Sequence, residues 1–189
     1  MDAITAMRRR TSVRRFRPDP VGRDLIETVL DCAVRAPNHK LTEPWRFAVL
    51  TGQAKSRFAA LRASYRRRKF GDPDGPEAVA SAEKMRLETE EIPVVIAVAC
   101  ALSDDERRQE EDYAAAMMAV ENLLIAAESL GLGTYVRTGG MMRDPELAAI
   151  TKLDEGFRIV ALVSLGYPAE PASPRRRRPA AELTRWLDR

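Results

Sequence analysis

The feature that most restricts the fold of this chain is a long helical pattern from Asp104 to Leu130. Its polar start gives way near Tyr113 to Ala-Ala-Ala-Met-Met-Ala-Val-Glu-Asn-Leu-Leu-Ile-Ala-Ala. A helix apolar almost all round is usually buried on several sides. Twenty-odd residues at about 1.5 Å each give a rod of roughly 30 Å, enough to cross a domain or an oligomer interface. Gly131 and Gly133 are read as its stop. Ahead of it, Pro93 introduces Val94-Val95-Ile96-Ala97-Val98-Ala99-Cys100, a continuous apolar run of strand length. Such a run predicts a buried central strand.

Shorter elements surround these two. Asp2 to Arg9 reads as a short helix with Ile4 and Met7 on its apolar face, broken by the prolines of Phe16-Arg17-Pro18-Asp19-Pro20. Helical spacing recurs from Gly22 to Arg35, and Pro37 ends it. A polar loop over 38–44 leads to a strand at Trp45–Leu50. Helices are expected from Lys55 to Phe70 and, more exposed, over 77–91, with a Gly/Pro/Asp loop between them. Tyr135–Arg137 is expected as a short strand, Asp144-Pro145-Glu146 as a helix start, and Phe157–Leu165 as a last strand.

With 189 residues, 45% hydrophobic and 31% charged, the chain reads as one soluble globular domain over 1–189. Its 168–189 segment is a Pro/Arg-rich extension that cannot pack as core. The net charge of +3 gives little global field for steering onto nucleic acid. Cys32 and Cys100 stand in apolar segments and are expected as reduced, buried thiols of a cytoplasmic protein. No apolar h-region follows Arg8-Arg9-Arg10, and no apolar run approaches the roughly 18 residues of a membrane span.

One His and two distant Cys match no common zinc spacing, so no metal is expected. There is no Walker A motif, Gly131-Leu132-Gly133 lacks the remainder of a dinucleotide fingerprint, and no Gly-x-Ser-x-Gly elbow accompanies His39. Three features carry chemistry instead. Arg10, Ser12 and Arg14 alternate, which in an extended backbone turns two guanidiniums and a hydroxyl to one side. That set suits a phosphate, or equally the carbonyls and carboxylates of its own helix end. Arg35 and His39 straddle Pro37. The third feature is Ala119 to Thr134 leading into Arg137-Thr138-Gly139, which alone reads as core helix and stop.

In order, these are Arg-x-Ser-x-Arg, then Ala-Pro-Asn-His-x-x-x-x-Pro-Trp-x-Phe, then Asn-Leu-Leu-x-Ala-Ala-x-x-Leu-Gly-Leu-Gly. The series resembles the FMN-dependent nitroreductase family, most of all its short single-domain NAD(P)H nitroreductase type. The resemblance runs from Met7 to Gly166 and is weakest over 53–92. It implies an α+β fold, a mainly antiparallel central sheet flanked by helices, in an intertwined homodimer with FMN at the subunit interface. It assigns Arg10, Thr11 and Ser12 to the flavin phosphate, and Arg14 to the ribityl chain or pyrimidine edge. Arg35 and His39 reach the flavin from the other subunit, and Val136, Arg137 and Thr138 touch it again. Ala126, Ala127, Glu128, Ser129, Leu130 and Gly131 are assigned to NAD(P), and one of Arg175–Arg178 to the phosphate clamp. Thr11 stands where an arginine is common, and Val136 where some minimal members carry a large aromatic.

The implied activity passes hydride from NAD(P)H through flavin N5 to a nitroaromatic or quinone by a ping-pong mechanism. Arg14 or Arg137 would place a cation at the N1/C2=O edge, and no catalytic side chain is required. Two readings compete with it. One is a nucleic-acid-binding module using Arg66-Arg67-Arg68-Lys69 and Arg175–Arg178; the other is a flavin-binding relative with a different redox reaction.

Overall fold

The computed structural model describes residues 1–171 and 175–187. In chain order the elements are α1 (Ala3–Arg9), α2 (Arg23–Ala33), β1 (Trp45–Leu50), α3 (Gly52–Arg67), α4 (Pro76–Glu90) and β2 (Val94–Ala101). There follow α5 (Glu106–Ser129), β3 (Gly133–Arg137), α6 (Pro145–Thr151) and β4 (Phe157–Gly166), with 3-10 turns at His39–Leu41, Gly140–Arg143 and Ala180–Leu183. Neighbouring strands are antiparallel in one sheet of order β1-β2-β4-β3, an α+β arrangement as expected.

The apolar run of β2 follows from its central place. Val94, Ile96, Val98 and Cys100 face the layer of α2 and α5, whereas Val95 and Ala97 face Phe58 and Leu61 of α3 and Leu147 and Ile150 of α6. Each face of the strand therefore meets a separate apolar layer, and no polar side chain is tolerated on either.

Asp105 starts α5 by accepting the N–H groups of Arg107 and Arg108 (3.0 and 3.2 Å). At the other end, Gly131 (φ +78°) lets the Leu132 N–H reach the Ala127 carbonyl (2.8 Å) while its own N–H bonds Glu128 (3.1 Å). These two bonds make a Schellman cap, which requires a left-handed residue at that point.

Gly133 has another role than the helix stop expected of it. It is the first residue of β3, where a Cβ would lie 2.7 Å from Val13 Cγ2 and 3.0 Å from Pro168 Cγ. Its missing side chain lets the amino-terminal segment lie directly on the sheet.

Packing sets the exposure of three features. On α1 only Ala6 is buried, because a small side chain lets the helix approach α5; Ile4 and Met7 point outward. The helix α5 is covered along Ala115, Ala119, Leu123 and Ala127 but open along Tyr113, Met118 and Glu121. Cys100 is buried, but Cys32 is only half-buried; both are free thiols. Of the extension, residues 172–174 and 188–189 lie outside the described residues, and 175–187 are exposed. Among the described residues no helix is long and apolar enough to cross a membrane.

Candidate functional site

The backbone leaves α1 at Arg10 and runs extended across the start of β3. Ser12 bridges Thr134 in parallel, and the Val13 N–H donates to the Thr134 carbonyl (2.8 Å). Phe16 then bridges Pro168, the Arg17 N–H donates to Tyr167 and the Ala169 N–H to Arg15. This zipper imposes the alternation. Thr11 and Val13 are buried, while Ser12 and Arg14 turn toward solvent and Arg10 lies half-buried.

The side chains of this segment border a groove of about 260 Å³ lined by Ser12, Val13, Arg14, Arg15, Glu170 and Arg175 among others. Three guanidiniums therefore face one carboxylate, and Glu170 already pairs with Arg15. Arg10 lies at 4.0 Å from Glu121 and Arg9 at 3.6 Å from Glu128, so part of the cluster serves its own helix contacts. Arg175 is the member of the Arg175–Arg178 run that lines the groove. Surplus positive charge with a hydroxyl beside an extended backbone is chemistry suited to a phosphate.

The ring of Tyr135 on β3 joins this segment to the strand's end. Arg14 approaches it from one direction (5.8 Å) and Arg137 more closely (4.4 Å). Arg137 donates to Ser164 Oγ (2.5 Å), the residue paired with Tyr135 across the sheet. Burial pushes the Arg137 guanidinium down, Tyr135 holds it up, and Arg14 lowers it again. Val136 points to the opposite face of β3, against the α2/α5 layer, and Thr138 is exposed just beyond the strand.

Arg35 and His39 are elsewhere. Arg35 lies exposed beyond α2, whose Cys32 carbonyl accepts from Asn122 (3.3 Å). His39 Nδ1 meets Glu111 Oε2 at 2.6 Å, and Arg107 reaches the same carboxylate at 3.2 Å. That contact with His39 holds the Glu111 carboxyl below its ordinary range. Thr42 donates to Asp112 (2.7 Å), which Arg108 also approaches (3.5 Å). Ten residues of α5 separate Glu111 from Glu121, about 15 Å of helix, so one protomer does not bring His39 to Arg10. Lys40, Leu41 and Glu43 all have positive φ, which marks this corner as a tightly wound loop.

The residues assigned to NAD(P) divide at the end of α5. Ala126 and Ala127 are buried in the core, Glu128 and Ser129 are half-buried, and Leu130 and Gly131 are exposed. Reading the sequence missed Tyr135, Glu170 and Arg62. Arg62 of α3 sits four residues after Phe58 and three before Tyr65, so a guanidinium on the apolar face of α3 was the available signal. The basic run beside it is largely engaged within the chain: Arg66 with Ser81, Arg67 with Asp74 and Arg68 with Asp144.

An α+β fold of this kind is already represented among solved structures. The chain superposes on a nitroreductase-like family protein from Bacillus cereus with a TM-score of 0.83, at 26% identity, covering 100% of this chain and 97% of that one. A nitroreductase with bound FMN from Bacteroides fragilis has the same fold (TM-score 0.75, 20% identity, full coverage of both chains). An NADH dehydrogenase of Thermus thermophilus is 31% identical over 98% of this chain and 96% of its own. The model of the nitroreductase family matches residues 7–167, and the chain belongs to that family.

Proposed function

We propose that the protein is a homodimeric, FMN-dependent NAD(P)H oxidoreductase, with the flavin phosphate in the groove beside Ser12. The carrying observation is the uncompensated charge there: Arg14 and Arg175 with Ser12, on a backbone clamped to β3. Bound FMN would supply the hydride chemistry, accepting hydride from NAD(P)H at N5 and passing it to an electron-poor acceptor such as a nitroaromatic or quinone in a ping-pong cycle. The donor set fits that group.

Arg10 and Arg175 would neutralise the phosphate and the Ser12 hydroxyl would donate to it, with Thr11 buried between Arg10 and Ser12. Arg14, 5.8 Å from the centre of the Tyr135 ring, would reach the ribityl chain or pyrimidine edge. Arg137 offers a desolvated cation on the same ring of Tyr135, which strengthens its attraction for negative charge developing nearby. Val136 and Thr138 would contact the flavin through the end of β3. Glu128 to Gly131 form the open part of the nucleotide assignment; Ala126 and Ala127 act by letting α5 pack.

A second copy of the chain is supported by what one copy leaves open. Ile4 and Met7 on α1 are 62% and 58% exposed, and Met118 on α5 is also uncovered. Covering them in a dimer would also let Arg35 and His39 serve a flavin they cannot reach within their own chain. Anaerobic titration of the purified protein with NADH and NADPH tests the activity. Yellow protein that bleaches and recovers its colour with a nitroaromatic or quinone is expected; colour that no nucleotide bleaches would contradict it.

A further inference from the structure

Asp112 is the one fully buried carboxylate among the described residues, 2% exposed, and it takes no part in the groove beside Ser12. A carboxylate withdrawn from water is costly unless it is hydrogen-bonded or paired. Its donor is the Thr42 hydroxyl (2.7 Å), while Arg108, whose side chain is largely exposed, stays at 3.5 Å. Asp112 lies deep enough that its charge adds to burial in pushing the Cys100 thiol up. Packing of α5 calls for no charge here, since Ala115, Ala116 and Ala119 carry the same stretch of helix into the core.

The place of Thr42 gives that charge a purpose. Thr42 belongs to the loop between α2 and β1, in which Lys40, Leu41 and Glu43 have φ of 53°, 54° and 42°. Side chains of these types rarely adopt left-handed backbone, so three such residues within four positions store strain. Strain of this kind persists only where surrounding bonds over-determine it. From within the loop, Asn38 accepts the Glu43 N–H (2.9 Å) and donates to the Ala36 carbonyl (3.3 Å). From outside, α5 holds the loop through two adjacent carboxylates, Glu111 on His39 (2.6 Å) and Asp112 on Thr42. The His39 side chain is 51% exposed, so its pair contributes little by itself. The buried bond to Asp112 is of the stronger, charge-assisted kind.

We propose that Asp112 is a positioning residue, which acts through Thr42 to hold His39 in the pose from which it serves the flavin of the second subunit. This rests on the reading of His39 given under the proposed function and deepens it: one end of α5 sets the loop that one protomer offers to the other. Glu111 orients the ring, and Asp112 fixes the backbone that carries it.

His39 is the single histidine of the chain, so its imidazole C–H resonance reports on this loop alone. The test reads that resonance, the thermal midpoint and FMN affinity by fluorescence quenching in wild type, Thr42→Ser, Thr42→Val and the double variant Thr42→Val with Asp112→Leu. Thr42→Val is expected to move the resonance toward that of an unstructured histidine and to weaken FMN binding about tenfold. Thr42→Ser, which keeps the hydroxyl, should match wild type in both. The double variant removes the stranded carboxylate together with its donor, so its midpoint should recover while the resonance stays displaced and FMN binding stays weak. An unmoved resonance or undiminished FMN affinity in Thr42→Val overturns the inference. So does a double variant that regains FMN affinity together with its midpoint, since Asp112 would then serve packing alone. Should Thr42→Val fail to fold, the double variant carries the same reading. A wild type that takes up no FMN, with the resonance still displaced by Thr42→Val, would uphold the hold of Asp112 on the loop and refute the flavin reading.

Discussion

The two ends of α5 both gather charged side chains, and they differ in how those charges are balanced. Near Glu106 three basic groups have carboxylates: His39 and Arg107 share Glu111, and Arg108 approaches Asp112. Beyond Ser129 the extended segment after α1 brings Arg14, Arg15 and Arg175 around a groove in which Glu170 is the one carboxylate among the described residues. Composition alone does not separate these regions. Charge balance within reach of each groove does, because a paired cation has little left to offer a ligand, whereas an uncompensated one makes an anion site.

The comparison breaks most severely at Gly133. Gly133→Leu would drive a side chain into Val13 and Pro168 and lift the arginine-bearing segment off β3. Overpacking of this kind costs roughly 1–3 kcal/mol, and FMN affinity should fall with it, by about a hundredfold or more. Equilibrium denaturation alongside a flavin titration checks both. Retention of FMN at wild-type affinity would show that the segment's placement is irrelevant to the cofactor.

How much of this was legible beforehand follows from which interactions are local. The central strand and the long helix were readable because burial on both faces of β2, and along most of α5, writes itself into uninterrupted apolar runs. The alternation of Arg10, Ser12 and Arg14 was readable as soon as an extended backbone was assumed. What was not readable is pairing across the chain. Nothing near residue 39 announces that Glu111 meets its histidine, and nothing near residue 14 announces Tyr135. Gly133 looked like a second helix stop because the close approach that needs it comes from Val13, far earlier in the chain. Arg62 stands between Leu61 and Ala63, ahead of the basic run 66–69, and only the helical register that places it with Phe58 and Tyr65 marks it as inward. The face of α1 that carries Ile4 and Met7 is open for a related reason, since periodicity identifies an apolar face but not whether the same chain covers it.

Smaller changes sharpen the contrast. Leu123→Ala, in the covered face of α5, should cost about 3–5 kcal/mol by leaving a cavity, with flavin affinity per folded molecule little changed. This separates damage to the scaffold from damage to the site. Glu111→Gln at the balanced end should leave the thermal midpoint at neutral pH nearly unmoved, because exposed pairs contribute little. The Glu111 carboxyl is held below its ordinary value by His39, so its contribution is present at neutral pH and lost as pH falls through the carboxylate range. The variant should therefore show a slightly flatter midpoint-against-pH curve in acid. An unchanged curve would mean the pair does not stabilise the folded chain.

The account rests on a phosphate being held by the segment between α1 and β3, and the most direct measurement compares FMN with riboflavin, which lacks that group. Titrated by fluorescence quenching into flavin-free protein, FMN should bind about a hundredfold tighter than riboflavin, as expected of two or more charge-assisted contacts. In Arg10→Ala and Ser12→Ala the advantage should shrink by about tenfold or more, with riboflavin affinity unchanged. Equal binding of the two flavins by the wild-type protein, or an advantage untouched by both substitutions, would contradict it.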